Sequence, residues 1–436
     1  MRKWIWLALI IVLIGCTSEE EQETEEQTFD ELLGKWHGAI EVPNMPLEIQ
    51  LTFEEDDESE EIVGFIDIPT QGIDQYPLSE LELEEEQVRF KMDIPGQFVE
   101  FVSDLPHDHT LTGEFSQQGH TFDFELERGE LETEPEQASD DINWLTISSE
   151  IGDLKGELLQ PNNEQTDRVA LIIPGSGPVN RDGNSAGTES DTLKLLAESL
   201  AEQGTASLRY SKRGVGENQE ATIPEEEMTI ERMSEDAVAW VERLKDDYEQ
   251  VIIIGHSQGA LVGQLAALQT RVDGFVSLAG AGRTIDDVLN DQLSNQLPQD
   301  LEEEAQSILD QLREGELVEE EEISSELYSI FRPTIQPFLM SWMSYDPAEL
   351  MTQMSIPSLI IHGTHDRQVF EEDAAQLAAA NNQAELVMVE GMDHVLKQSD
   401  SVEDTSNYQD PEQPLADDLL KAIDQYIQNL SQNDNS

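Results

Sequence analysis

The sharpest chemical signal in the chain is Gly255-His256-Ser257-Gln258-Gly259. A β-branched run, Val251 to Ile254, leads into it, and a small-residue helix start, Gly259 and Ala260, leads out. Strand, tight turn and helix at this spacing lift Ser257 onto a sharp corner at a helix N-terminus, where backbone N–H groups and the helix dipole favour developing negative charge. An ordinary glycine-rich turn with an N-cap serine has the same local pattern, so the partners decide. A serine hydroxyl is a weak nucleophile until a base takes its proton, and a histidine base needs an acid to orient it.

The chain has eight histidines. His394, in EGMDHVLK just after the last apolar run, is the candidate base. His362 lies within a strand-like run and is expected to pack. His365 stands beside the acid candidate, and His256 is in the turn itself, where it cannot readily reach the neighbouring hydroxyl. With 94 acidic residues, position must choose the acid. Asp366 follows the run PSLIIHG and is preferred. Asp393 adjoins His394, a poor geometry for orienting the ring, and stays open together with Glu390. For an oxyanion hole, one donor is the Gln258 backbone N–H. The other comes from the turn Pro174-Gly175-Ser176-Gly177-Pro178, with the Ser176 N–H preferred and Gly175 next.

These residues need a scaffold. Apolar runs at 168–175, 205–210, 251–255, 274–280, 357–363 and 384–391 alternate with helical spacing over 189–203, 234–248, 259–269 and 415–430. Nearly all-apolar strands alternating with helices predict a mostly parallel sheet covered on both faces. Ligands bind such sheets beyond the strand C-termini, where every candidate above falls. Residues 144–150 and 154–161 read as a leading hairpin.

Six segments carry a family resemblance: PGSGPVNRDGN (174–184), LRYSKRGVGE (208–217), GHSQG (255–259), VSLAGAGR (276–283), HGTHDRQV (362–369) and GMDH (391–394). Residues 141–430 resemble an α/β-hydrolase of the bacterial serine esterase and S33-like peptidase superfamily. The resemblance implies Ser257 as nucleophile, Asp366 as orienting acid and His394 as base, in the chain order of that fold. Ser211 and Gln258 depart from it, standing where relatives often carry Asp and Glu. Residues 284–350, between two sheet strands, are expected to form a helical lid whose Phe338 and Trp342 shape an acyl pocket. No metal or organic cofactor is required.

Residues 31–130 differ. LEIQLTF (47–53), IVGFIDI (62–68), VRFKMDI (88–94), FVEFV (98–102), LTGEF (111–115) and HTFDFELE (120–127) alternate apolar and polar residues. They predict a small all-β domain, an antiparallel sandwich or barrel. The resemblance then extends to secreted esterases with an accessory N-terminal domain.

The start of the chain reads as an address. Arg2 and Lys3 precede eleven apolar residues, and Leu13-Ile14-Gly15-Cys16 resembles the lipobox of bacterial lipoproteins. Residues 1–16 are then the signal peptide and lipobox, and lipidation of Cys16, the sole cysteine, would anchor the mature chain outside the cytoplasm on the membrane. Residues 17–30 form an acidic tether. The formal charge of −71 argues against nucleic acid as a partner. It also suits a solvated surface in a salty medium.

The leading expectation is a carboxylesterase acting on a small-molecule ester. A peptidase or amidase on the same triad, a thioesterase or acyltransferase, and a non-catalytic envelope-binding protein are the alternatives. Arg181, Arg209, Lys212 and Arg213 are where a peptidase would hold a peptide terminus, unless they anchor loops. The sequence carries no indication of oligomeric state.

Overall fold

A computed structural model describes most of residues 32–433, leaving out 42–46, 56–61, 69–72, 85–86, 93–98, 108, 118–119, 130–141, 150, 162–165, 186–187, 295–296 and 325. The leader, Cys16 and the acidic tether lie outside the described residues. Among the described residues, no helix is long and apolar enough to cross a membrane.

The N-terminal part is a closed antiparallel barrel of eight strands: β1 (Gly34–Ile40), β2 (Leu47–Glu55), β3 (Ile62–Ile68), β4 (Ile73–Glu84), β5 (Gln87–Met92), β6 (Val99–Asp104), β7 (Thr110–Gln117) and β8 (His120–Arg128). Each strand pairs with the next, and β1 closes the ring on β8. Period-two alternation sends Ile49, Leu51 and Phe53 of β2 inward. Trp36, Phe90, Phe101 and Phe124 join them in a filled interior, with the Phe90 and Phe101 rings stacked at 4.9 Å.

The remainder carries an eight-stranded sheet. Its strands are β9 (Trp144–Ile147), β10 (Leu154–Leu159), β11 (Arg168–Ile173), β12 (Ala206–Arg209), β13 (Gln250–His256), β14 (Gly274–Leu278), β15 (Ser358–Gly363) and β16 (Glu385–Val389). The spatial order is β16-β15-β14-β13-β11-β12-β10-β9. In the hairpin β9–β10, β10 is antiparallel to both β9 and β12, and the six following strands run parallel to one another. On one face Trp240 and Val241 of α2 (Ile230–Lys245), Val262 of α3 (Gln258–Gln269) and Leu377 of α9 (Glu371–Ala380) fill one apolar layer. On the other, Leu193 and Leu196 of α1 (Thr192–Glu202) meet Leu419 and Ile423 of α10 (Asp417–Asn433). This is the α/β-hydrolase fold, preceded by a small all-β domain.

Between β14 and β15 the described residues make five α-helices, α4 (Ile285–Ser294), α5 (Gln299–Arg313), α6 (Tyr328–Phe331), α7 (Gln336–Met343) and α8 (Pro347–Gln353), with short 3-10 turns between them. Leu309, Leu312, Phe331 and Leu339 give this insertion a core of its own.

Candidate active site

Because β11, β13, β15 and β16 are parallel, the turns that follow them gather at one edge of the sheet. Ser257 sits between β13 and α3 with φ 53° and ψ −121°. A non-glycine residue there stores roughly 1–3 kcal/mol of backbone strain. The flanking glycines make the corner possible. A Cβ on Gly255 would stand 2.2 Å from the Gly259 carbonyl oxygen, and one on Gly259 would stand 2.3 Å from that of Ile173. The Ser257 N–H donates to the Leu278 carbonyl at 2.8 Å, pinning the turn to β14. Helix α3 is buried from Gln258 through Ala266 on every side, as an apolar helix at the centre of a domain must be.

His394 and Asp366 meet. The His394 Nδ1 lies 2.8 Å from Asp366 Oδ2. The other carboxylate oxygen, Oδ1, accepts from the backbone N–H groups of Gln368 at 2.8 Å and Val369 at 3.0 Å. Burial pulls the Asp366 carboxyl up, but the field and hydrogen bond of His394 outweigh it, and the carboxyl is held below its ordinary range. Of the acids the sequence left open, Asp366 is the one whose carboxylate meets the His394 ring. Asp393 faces away from the ring: its Oδ1 accepts from the Lys397 N–H at 3.0 Å and its Oδ2 from Asn407 Nδ2 at 2.7 Å. It closes the turn that presents His394.

The other histidines have structural partners. His362 is fully buried, and its Nε2 donates to the Val369 carbonyl at 3.0 Å. His365 Nδ1 donates to the Ser399 carbonyl at 3.1 Å. His256 Nε2 donates to the His394 carbonyl at 2.8 Å. Burial and then the adjacent His394 push the His256 imidazole down to about 4, so it is neutral at neutral pH.

Ser257 and His394 line one cavity of about 220 Å³, with Gly175 and Ser176 of the turn after β11. A Cβ on Gly175 would lie 3.4 Å from Ser257 Cβ, so this turn passes close over the serine. The Gln258 N–H, first in α3, is among the donors a helix N-terminus leaves unpaired. Gln258 also holds Lys212: the amine donates to Gln258 Oε1 at 2.8 Å. Burial pushes that amine down to about 7. The sequence singled out the Gln258 N–H and, for a peptidase, Lys212, but not their pairing, and it did not single out Tyr408 and Gln368, which line the cavity. Tyr408 lies in the polar stretch SNYQD, which has no periodicity to mark it.

Phe338 and Trp342 depart from the expected acyl pocket. Their rings lie 5.6 Å apart and pack, with Tyr345, against Ile230 of α2 and Leu261 and Leu265 of α3. They are not among the residues lining the cavity at Ser257. The physical reason is that α7 is tied to α2: the Ile230 N–H donates to Ser341 Oγ at 3.0 Å. The Tyr345 hydroxyl donates to Glu231 at 2.7 Å. The Phe338 and Trp342 rings are half-buried in that contact. The basic residues also have partners. Arg181 pairs with Glu157 and Glu217, Arg209 with Glu157 and Asp182, and Arg213 with Asp236.

Parts of the chain are similar to known proteins. Residues 186–398 match the family model described as serine aminopeptidase, S33. Over 229 residues the chain is 29% identical to esterase EstD of Thermotoga maritima, a match spanning 51% of this chain and 52% of that protein. The chain thus spans about half the length of this curated relative. Among solved structures it is similar to Est1E from Butyrivibrio proteoclasticus, with 19% identity, a TM-score of 0.43, and 66% of this chain and 98% of that one covered. It is also similar to an esterase from Pyrococcus furiosus, with 16% identity, a TM-score of 0.42, and coverage of 66% and 91%.

Proposed function

We propose that the chain is a serine hydrolase of carboxylic esters, with Ser257 as nucleophile, His394 as base and Asp366 as the acid that orients it. The observation carrying this reading is the 2.8 Å His394–Asp366 contact at the wall of the cavity that holds Ser257. The likeness to an esterase over half the chain supports it.

The Asp366 carboxylate keeps the proton of the His394 ring on Nδ1, leaving Nε2 to take the Ser257 proton as Oγ bonds to the ester carbonyl carbon. Charge moves onto the carbonyl oxygen, toward the Gln258 and Ser176 N–H groups. On collapse the bond to the leaving oxygen breaks and His394 hands it the proton. Water, deprotonated by the same ring, then attacks the acyl-enzyme, and Ser257 recovers its proton.

Esters fit better than peptides with free termini. An aminopeptidase substrate brings an ammonium group, and among the described residues no carboxylate lines the cavity. The arginines that would hold a carboxylate terminus are already paired within the chain. The test is hydrolysis of p-nitrophenyl acetate and of an aminoacyl p-nitroanilide by purified wild type and Ser257→Ala. Ester turnover lost in the variant is expected. Comparable turnover in both proteins, or turnover of the anilide alone, overturns the reading.

The lipid anchor belongs to the same proposal and rests on the Leu13-Ile14-Gly15-Cys16 pattern alone. Fatty-acid labelling should appear in the wild type and vanish in Cys16→Ala. Equal labelling of the two removes the anchor.

A further inference from the structure

The cavity beside Ser257 has an unusual wall for a site expected to take an acyl chain. Besides Ser257, its uncharged polar side chains are Ser176, Ser185, Thr188, Ser190, Thr192, Gln368 and Tyr408, and among the described residues that line it there is no lysine, arginine, aspartate or glutamate. Of its two histidines, His256 is neutral at neutral pH, and His394 is engaged by Asp366.

The hydrogen bonds within this wall assign donors and acceptors. Thr192 Oγ1 donates to the Val395 carbonyl at 3.0 Å, so its proton is used. Ser190 Oγ lies 2.8 Å from Thr192 Oγ1 and must therefore donate to it. Ser190 is fully buried, so this pair is closed on itself behind the wall. Gln368 Nε2 donates to the Tyr408 hydroxyl at 3.0 Å, leaving the Tyr408 proton without a described acceptor. Burial raises the Tyr408 phenol, which stays protonated at neutral pH and remains a donor. Gln368 Oε1 is a further acceptor. The wall thus offers at least one donor, on Tyr408, and one acceptor, on Gln368, beside the Ser185 and Thr188 hydroxyls, with no charged side chain among the described residues that line it. A ligand that matches it carries hydroxyl groups, each of which both donates and accepts.

Position decides which half of the ester this is. The leaving oxygen must receive its proton from His394, so the alcohol half occupies the space on the His394 side of the serine. The polar wall is built there. Val395 follows His394, the Gln368 N–H binds Asp366, and Tyr408 is bonded to Gln368.

We propose that this cavity binds the alcohol half of the ester and selects an uncharged polyhydroxylated alcohol, a polyol or single sugar unit, over an alkyl or charged one. The proposal rests on the esterase reading above. A volume of about 220 Å³ suits one such unit. Satisfying Gln368 and Tyr408 together requires hydroxyls, because an alkyl alcohol would strip water from both and return nothing.

The test holds the acyl group constant and varies the alcohol. Acid release from glyceryl monoacetate, monoacetylated glucose, hexyl acetate and acetylcholine is titrated with the full-length protein, beside p-nitrophenyl acetate. The kcat/KM for the glyceryl or glucosyl ester should exceed that for hexyl acetate and for acetylcholine by at least about tenfold. In Tyr408→Phe and Gln368→Leu the ratio of glyceryl to hexyl kcat/KM should fall about threefold to tenfold, whatever the absolute rates. Equal or greater activity on hexyl acetate, or a ratio unmoved in both variants, overturns the proposal and leaves the esterase reading standing. No turnover of any ester, p-nitrophenyl acetate included, overturns the esterase reading instead.

Discussion

Replacing Asp366 by Asn tests the proton logic of the site with almost no change of shape. In the wild type, Oδ1 accepts from Gln368 and Val369 N–H while Oδ2 faces His394 Nδ1. Asparagine has one oxygen to give. If that oxygen stays on the two backbone donors, the amide nitrogen faces Nδ1. If the amide flips, two buried N–H groups confront an NH₂ and lose their acceptor. Two hydrogen bonds at about 1 kcal/mol net each favour the first orientation by about 2 kcal/mol, or roughly 30-fold. An NH₂ facing Nδ1 forces that nitrogen to accept, so the ring proton moves to Nε2. An Nε2–H cannot take the Ser257 proton. The expected result in Asp366→Asn is a loss of about 10³–10⁴ in kcat on p-nitrophenyl acetate, with the melting midpoint lowered only slightly. Asp393→Asn, which touches the turn and not the ring, should keep at least about a tenth of the activity. An Asp366→Asn protein within about tenfold of wild type, or a larger loss in Asp393→Asn, would refute the reasoning.

Other expectations follow from the same structure. Gly259→Ala drives a Cβ to 2.3 Å from the Ile173 carbonyl oxygen and 2.7 Å from that of Pro174; backbone must move, and a cost of about 1–3 kcal/mol is expected. With it should come a fall of about 10²-fold in ester turnover as the 174–177 turn shifts off the serine; urea melts and kinetics check both, and a variant matching wild type in both contradicts the close packing. Lys212 loses its proton near pH 7 in the folded chain but only near its ordinary 10.5 when unfolded. Between those values the unfolded state binds more protons, so this group makes stability rise with pH. The stabilisation of Lys212→Met relative to wild type should therefore be larger at about pH 6.5 than at about pH 9.5, and a difference that stays constant contradicts the buried amine. The −71 charge opposes compaction at low ionic strength, and at about 1 M salt the Debye length is only about 3 Å. A soluble chain starting at Asp30 should melt higher in about 2 M than in about 10 mM NaCl, and an unchanged or lower midpoint in salt defeats this.

Much of this architecture could be read from the residues because burial leaves periodic marks. The run Val251 to Ile254 has no polar side chain, as a strand covered on both faces requires, and Leu47 to Phe53 alternates, as a barrel strand with one wet face must. Two barrel strands were hidden by residues that break the pattern. β1 contains Gly38, needed because a Cβ there would lie 2.1 Å from the Glu125 carbonyl oxygen across the β1–β8 seam. β4 contains Pro77 and a register shift between Ser79 and Glu82. That Ser257, Asp366 and His394 would gather at one sheet edge was legible because each follows a strand. The polar wall was not, because Ser190, Gln368 and Tyr408 come from separate loops whose meeting depends on tertiary packing. Phe338 and Trp342 misled for a related reason. An apolar helical face announces that it will be buried, but not that the burial will be against α2 and α3 instead of a ligand.

The central assignment is that Ser257 is the atom that attacks. A fluorophosphonate reacts with a serine only when a base and an oxyanion site activate it, and it leaves a stable adduct. Wild type, Ser257→Ala and His394→Ala are incubated with the probe and analysed by intact mass and peptide mapping. One adduct per wild-type chain, on the peptide containing Gly255-His256-Ser257-Gln258-Gly259, and none in either variant is expected. An adduct that persists in Ser257→Ala, or a folded wild-type protein that takes none, would contradict the assignment.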